Sequence, residues 1–113
     1  MKQGEIWWVC FDPSVGHEFK KKRPAVIITS NKIIKQLNLT TVLPITSNKE
    51  NCTVNDVKIK KDGNNHLFCD SIIKVSHIST FNKSKGRFLK KIGEVDDKMM
   101  KEIKEYLNIH FDL

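Results

Sequence analysis

Long apolar runs are missing from this chain: no stretch approaches the 18 or so consecutive apolar residues that a membrane-spanning helix needs. The first residues hold one lysine, then a glutamate, with no extended apolar region behind them, so they do not read as a secretory leader. Cysteine is scarce and odd in number. Cys10, Cys52 and Cys69 lie far apart with no C-x-x-C pair, which argues against both a zinc site and a secreted disulfide framework. Small buried or half-buried thiols in a reducing cytoplasm are the expectation. With only 5 Gly and 3 Pro in 113 residues, no linker, repeat or low-complexity tract interrupts the chain. One domain over residues 1–113 is expected. At 13.1 kDa about two thirds of its surface can be buried, enough for a core without staples.

Acidic residues are sparse over most of the sequence. Residues 1–91 carry 17 Lys and Arg against 7 Asp and Glu, a balance of +10, whereas residues 92–113 carry 3 against 6, a balance of −3. The positive charge gathers in Lys20-Lys21-Lys22-Arg23, in Lys58-x-Lys60-Lys61, and in Lys83-x-Lys85-Gly86-Arg87 running on to Lys90-Lys91. Such a surface attracts polyanions through counterion release. Lysines that merely solvate exposed strand faces would look the same.

Residues 5–11 form an apolar, aromatic run stopped by Asp12-Pro13, and residues 24–30 read as a strand buried on both faces. Residues 14–23 between them read as a long polar loop. Residues 31–39 could hold a short helical turn. A third strand is expected over 40–47, with Pro44 marking an edge or a bulge because it cannot donate to a ladder. Residues 54–60 alternate as a half-exposed strand should. Residues 67–78 read as one or two strands, and 88–95 as another. Asp96 then makes a plausible N-cap for a terminal helix whose apolar stripe is Met99, Ile103, Tyr106, Leu107 and His110. Short strands followed by one helix imply a mainly β, α+β domain, a small curled sheet or barrel with a helix laid against it.

The loop Gly16-His17-Glu18 to Lys22-Arg23-Pro24 carries ionisable groups of both signs and ends at a buried strand. Pro24 biases Arg23 towards extended backbone, and a planar guanidinium held beside a rigid strand suits bidentate phosphate contact. A surface ion pair with Glu18 or Asp12 is the plainer use of Arg23. His17 and Glu18 could serve as acid and base, or be ordinary surface polars.

These residues also carry a resemblance. Gly4-Glu5-Ile6-Trp7, Phe11-Asp12-Pro13, Gly16-His17-Glu18 and Arg23-Pro24-Ala25-Val26-Ile27-Ile28 are similar, in order and spacing, to the N-terminal signature of the MazF/PemK/Kid toxins of type II toxin–antitoxin pairs. Leu43-Pro44-Ile45-Thr46-Ser47 resembles the second motif of that family, and Asp70-Ser71-x-Ile73 its third. The resemblance implies an SH3-like barrel of about six to seven short strands with a C-terminal helix, working as a homodimer. It implies a sequence-selective endoribonuclease that cuts single-stranded RNA without metal or cofactor, and a separately encoded antitoxin as partner. The implied reaction is attack of a ribose 2′-OH on the adjacent phosphorus, leaving a 2′,3′-cyclic phosphate and a 5′-OH.

By the same resemblance Arg23 and Thr46 take the catalytic positions, Arg23 as a permanently cationic stabiliser of the phosphorane and Thr46 as a hydrogen-bond donor. Asp70 matches a base, and His17 and Glu18 match positions that contact RNA or assist proton transfer. Lys20, Lys21, Lys22, Ser47 and Asn48 are the expected RNA contacts. Phe68 and Ser79 stand where some relatives carry arginine, which leaves His17 as the best candidate for the general acid. Two other classes compete: a catalytically degenerate RNA-binding barrel, and a CcdB-like toxin acting on a protein such as DNA gyrase.

Overall fold

A computed structural model of the chain describes residues 1–12, 21–50, 52–84 and 86–113. Seven antiparallel strands precede one helix: β1 (Glu5–Cys10), β2 (Lys22–Ile27), β3 (Leu39–Thr46), β4 (Asp56–Ile59), β5 (Ser71–Lys74), β6 (Ser79–Asn82), β7 (Phe88–Glu94) and α1 (Asp97–Phe111). The sheet runs β4-β5-β3-β2-β1-β7, and β6 pairs with β3 beside that path. The sheet curls like a barrel without closing, since no pairing joins β4 to β7 among the described residues.

The middle strands are buried on both faces, which is why they read as continuous apolar runs. On one face Ile6, Val26, Leu43 and Ile45 join Val57, Ile73 and the helix residues Met100 and Ile103. On the other, Val9, Phe11, Ala25, Ile27 and Val42 pack together with Ile34. Alternation along each strand therefore assigns every residue to one of two packed layers.

β3 is long enough to change neighbours. Its first half pairs with β6 through Leu39–Asn82 to Val42–Ser79, and its end pairs with β5 through Ile45–Ile73 and Thr46–Ile72. Pro44 falls between these two pairings. The Ile28 N–H donates to the Thr41 carbonyl at 3.0 Å, and alternation from there turns the Pro44 nitrogen away from β2. Its missing N–H thus lies where β6 has ended and β5 has not begun. Pro44 marks a change of partner inside the sheet rather than an edge.

Other expectations are corrected. Lys22 and Arg23 belong to β2 and not to the preceding loop, because they pair with Cys10 and Val9. Residues 67–70 are not strand, and β6, absent from the sequence reading, is. Val54 lies outside β4 and is almost wholly exposed. In α1, Asp96 does cap the helix, its Oδ1 accepting from the Met99 N–H at 2.7 Å, but Met100 is buried and His110 is exposed. Cys52 and Cys69 are exposed, and only Cys10 is half-buried. No helix among the described residues is long and apolar enough to cross a membrane.

Candidate active site

β2 and β3 pair as Ile27–Val42, Val26–Leu43 and Ala25–Pro44. The recorded pairing ends there; continued two residues further, the same alternation would bring Arg23 level with Thr46 on one face of the sheet, the face of Val9 and Val42. Side chains directly opposed in this way have Cβ atoms about 4.5–5.5 Å apart. Thr46 is only 7% exposed, so it is not the exposed strand-end residue its position in the sequence suggests. Its Oγ1 accepts from the Asn48 N–H at 3.1 Å. A hydroxyl engaged as acceptor keeps its own proton to donate. Asn48 in turn accepts at Oδ1 from the Glu50 N–H at 3.0 Å, so the turn after β3 is held by its own side chains.

Asp70 immediately precedes β5. It stands two residues before Ile72, the β5 partner of Thr46, and its Oδ1 accepts from the Lys61 N–H at 3.0 Å. An ionised carboxylate retains further acceptor sites after one such bond. Lys21 adopts φ 64°, its N–H donates to Asp12 Oδ1 at 2.8 Å, and the Phe11 N–H donates to its carbonyl at 2.8 Å. Arg87 adds a second clamp, donating from Nη1 to the carbonyls of Cys10 and Asp12 while its guanidinium lies 4.7 Å from the Phe81 ring centre. Arg87 is therefore a structural member of its basic cluster. His17, Glu18 and Lys20 lie outside the described residues; the chain that carries them leaves after Asp12 and rejoins at Lys21, two residues before Arg23.

Beside these strand ends opens a cleft of about 620 Å³, lined by Trp8, Lys22, Arg23, Ser47, His66, Phe68, Cys69, Lys90 and Lys91 among others. Among the described residues no acidic side chain lines it. Lys90 and Lys91 enter from β7, where they pair with Trp8 and Trp7. Lys91 Nζ lies 3.4 Å from Glu5 Oε2, a loose contact for a lysine that is nearly half exposed. Burial pushes the Glu5 carboxyl up, but hydrogen bonds from Trp7 Nε1 and the backbone at Lys2, with the Lys91 charge, outweigh it and hold the group below its usual range. Glu5 therefore stays ionised and leaves Lys91 its place at the cleft.

Of the sequence candidates, Lys22, Arg23 and Ser47 line this cleft, whereas Thr46, Asp70, Lys21 and Asn48 do not. Arg23 is also among the residues of the cleft wall, between Lys22 and Pro24, two residues that alternation turns to the other face of β2. Sequence reasoning assigned no role to Trp8, His66, Lys90 or Lys91. Lys90 and Lys91 had a signal, since they close one of the three basic clusters, but Lys58 and Lys60 of another cluster lie outside the cleft. Among the described residues no three His, Cys, Asp or Glu side chains gather closely enough to hold a metal ion.

Comparison with known proteins bears on this arrangement. Residues 2–111 match the family model described as PemK-like, MazF-like toxin of type II toxin–antitoxin system. Endoribonuclease MazF9 of Mycobacterium tuberculosis is 30% identical over 118 aligned positions, covering 100% of this chain and 98% of that protein. Endoribonuclease PemK of Escherichia coli is 43% identical over 47 residues, which span 42% of this chain and 35% of that protein. The crystal structure of MazF from Deinococcus radiodurans superposes with a TM-score of 0.82 at 19% identity, covering 100% of this chain and 97% of the other. The seven-stranded curled sheet, the terminal helix and a family match over nearly every residue agree: this chain belongs to the PemK-like, MazF-like endoribonuclease toxins of type II toxin–antitoxin systems.

Proposed function

We propose that the protein cuts single-stranded RNA by attack of a ribose 2′-OH on its own 3′-phosphate, without a metal ion. The observation that supports this reading is the register of β2 on β3, which, continued past its last pair at Ala25–Pro44, brings a permanent cation, Arg23, level with a hydroxyl donor, Thr46. A base removes the 2′-proton, the new P–O2′ bond forms as the P–O5′ bond breaks, and an acid protonates the departing 5′-oxygen. The products are a 2′,3′-cyclic phosphate and a 5′-OH. Between them the phosphorane carries more equatorial charge than the ground-state diester, and Arg23 and Thr46 stabilise it there. Asp70 acts as the base, with His17 as the acid and Glu18 assisting proton transfer.

The RNA backbone follows the cations of the cleft, Lys22, Lys90 and Lys91, with Lys20, Lys21, Ser47 and Asn48 contacting it at the strand ends. The partner protein is a separately encoded antitoxin, for which the +10 balance of residues 1–91 supplies an electrostatic match. The working form is a homodimer and the compartment is the cytoplasm. Incubation with a long single-stranded RNA in excess EDTA tests the activity. Cleavage at a limited set of sites should persist under chelation, and DNA of the same sequence should stay intact. Cleavage abolished by EDTA would refute metal independence, and RNA bound but left whole would favour the degenerate binding barrel.

A further inference from the structure

Phe68 is 93% exposed, and its ring stands on the wall of the cationic cleft. Fully hydrated aromatic rings are ordinarily found on mobile loops, where they can collapse onto the nearest apolar surface. The loop that carries this one is held on all sides. Asn65 is 2% exposed; its Oδ1 accepts from the N–H groups of Asp62 and Leu67, both at 3.0 Å, and its Nδ2 donates to the Lys60 carbonyl at 2.8 Å. Asp62 Oδ1 accepts from the N–H groups of Asn64 at 2.8 Å and Asn65 at 2.7 Å. The Glu94 N–H of β7 donates to the Asn64 carbonyl at 3.0 Å. The loop sits so close to β7 that a Cβ on Gly93 would lie 2.4 Å from the Asn64 oxygen.

Leu67 packs against the core below, and Ser71 Oγ donates to the Cys69 carbonyl at 2.9 Å. Phe68 is thus fixed between two anchored neighbours with its ring in water. Among the described residues nothing covers that ring, yet its position is specified by a buried asparagine and a strand glycine.

We propose that Phe68 is a stacking platform for one nucleobase of the single-stranded RNA, a specificity and affinity subsite of the same cleft; this rests on the RNA-cleavage reading above. Charge decides the class of ligand. The walls carry Lys22, Arg23, Lys90 and Lys91, and among the described lining residues there is no acid, which suits a polyanion. A ligand that combines a regular phosphate backbone with planar apolar faces uses both the cations and the ring. Stacking on a pre-positioned ring adds little ordering cost, and every base offers a π-face. Trp8, another residue of the cleft lining, supplies a second aromatic surface for a base.

The test uses a uniformly 2′-O-methylated oligonucleotide, which is bound but cannot be cut by 2′-OH attack, and an abasic chain of equal length. Phe68→Ala should weaken binding of the base-bearing chain by roughly 5- to 150-fold, the range for loss of one base–aromatic stack. Phe68→Trp should restore it, and the abasic chain should bind parent and variant equally. The log–log salt slope should not change, because no phosphate contact is removed. Equal affinity of parent and Phe68→Ala for the base-bearing chain would overturn the proposal and leave the RNA reading standing. So would a Phe68→Ala effect confined to self-association in sedimentation, which would make the ring a protein contact. A parent that binds neither chain would overturn the RNA reading itself and this subsite with it.

Discussion

Arg23→Ala is expected to lower the single-turnover rate of RNA cleavage by roughly 10²–10³ or more, the range for loss of one oxyanion donor. The guanidinium cannot lose its proton, so its contribution is charge, and that charge is worth most where the phosphorane carries its excess. Affinity for a noncleavable RNA should fall far less than the rate. The variant should remain folded, because Arg23 lies near the start of β2, is only half-buried, and keeps its backbone pairing with Val9 whatever side chain it carries. Thr46→Ala should act in the same direction but more mildly, since a neutral donor makes the weaker bond. Some loss of stability should accompany it, because Thr46 is buried and accepts from the Asn48 N–H. Cleavage by Arg23→Ala at the parent rate would remove Arg23 from the mechanism.

The largest effect on stability is expected at a buried ion pair between β4 and β5, the strand that pairs with the end of β3. Lys74 Nζ lies 2.7 Å from Asp56 Oδ2, with side chains 9% and 0% exposed, on residues that face each other across β4 and β5. The same Asp56 oxygen accepts from the Thr53 N–H at 2.7 Å. Lys74→Met leaves a carboxylate in the core without its cation, a change that costs about 3–5 kcal/mol in comparable pairs. At about 4–8 °C per kcal/mol for a domain near this size, the midpoint of thermal unfolding should fall by at least about 12 °C.

Replacing Asp56 by Leu in the same chain should recover much of that loss, since an apolar pair needs no compensation. His77 gives an independent readout. Burial first, and then the Lys74 charge, hold its pKa below the usual value, while Asp56 pulls the other way. Removing Lys74 alone should therefore raise the His77 pKa, measurable by NMR titration of its ring. An unchanged midpoint in Lys74→Met would show that the pair is not as desolvated as its burial indicates.

β1, β2 and β3 were legible because strands covered on both faces are rich in apolar residues: 5–11 and 24–30 are largely apolar, and 40–47 sets Val42-Leu43-Pro44-Ile45 between threonines, which also favour extended backbone. The helix was legible from Asp96 and a period near four residues, although His110 fell on the solvent side and Met100 inside. β6 was not. Ser79-Thr80-Phe81-Asn82 has no strand pattern of its own and is extended because the first half of β3 offers it an edge. Residues 67–70 misled for the opposite reason: Leu67, Phe68 and Cys69 look strand-like, but Asn65 and Asp62 take up the local N–H groups and fold the backbone into a loop. At the site, Arg23 and Thr46 were singled out only through the family resemblance of the motifs that hold them. Their opposition could not be read from the sequence, because it depends on a register that only the packed sheet sets. The contributions of Lys90, Lys91 and Phe68 were hidden for the same reason, each reaching the cleft on a strand or loop remote in sequence from Arg23.

The most direct measurement places one methyl group. Once a cut site has been mapped on an RNA, the same RNA is made with a single 2′-O-methyl on the ribose preceding the scissile phosphate. Attack by the 2′-oxygen predicts that cleavage stops at that site alone and continues elsewhere. It also predicts that the unmodified RNA yields 2′,3′-cyclic phosphate and 5′-OH ends. Cleavage through the methylated site, or 5′-phosphate ends on the unmodified RNA, would contradict it.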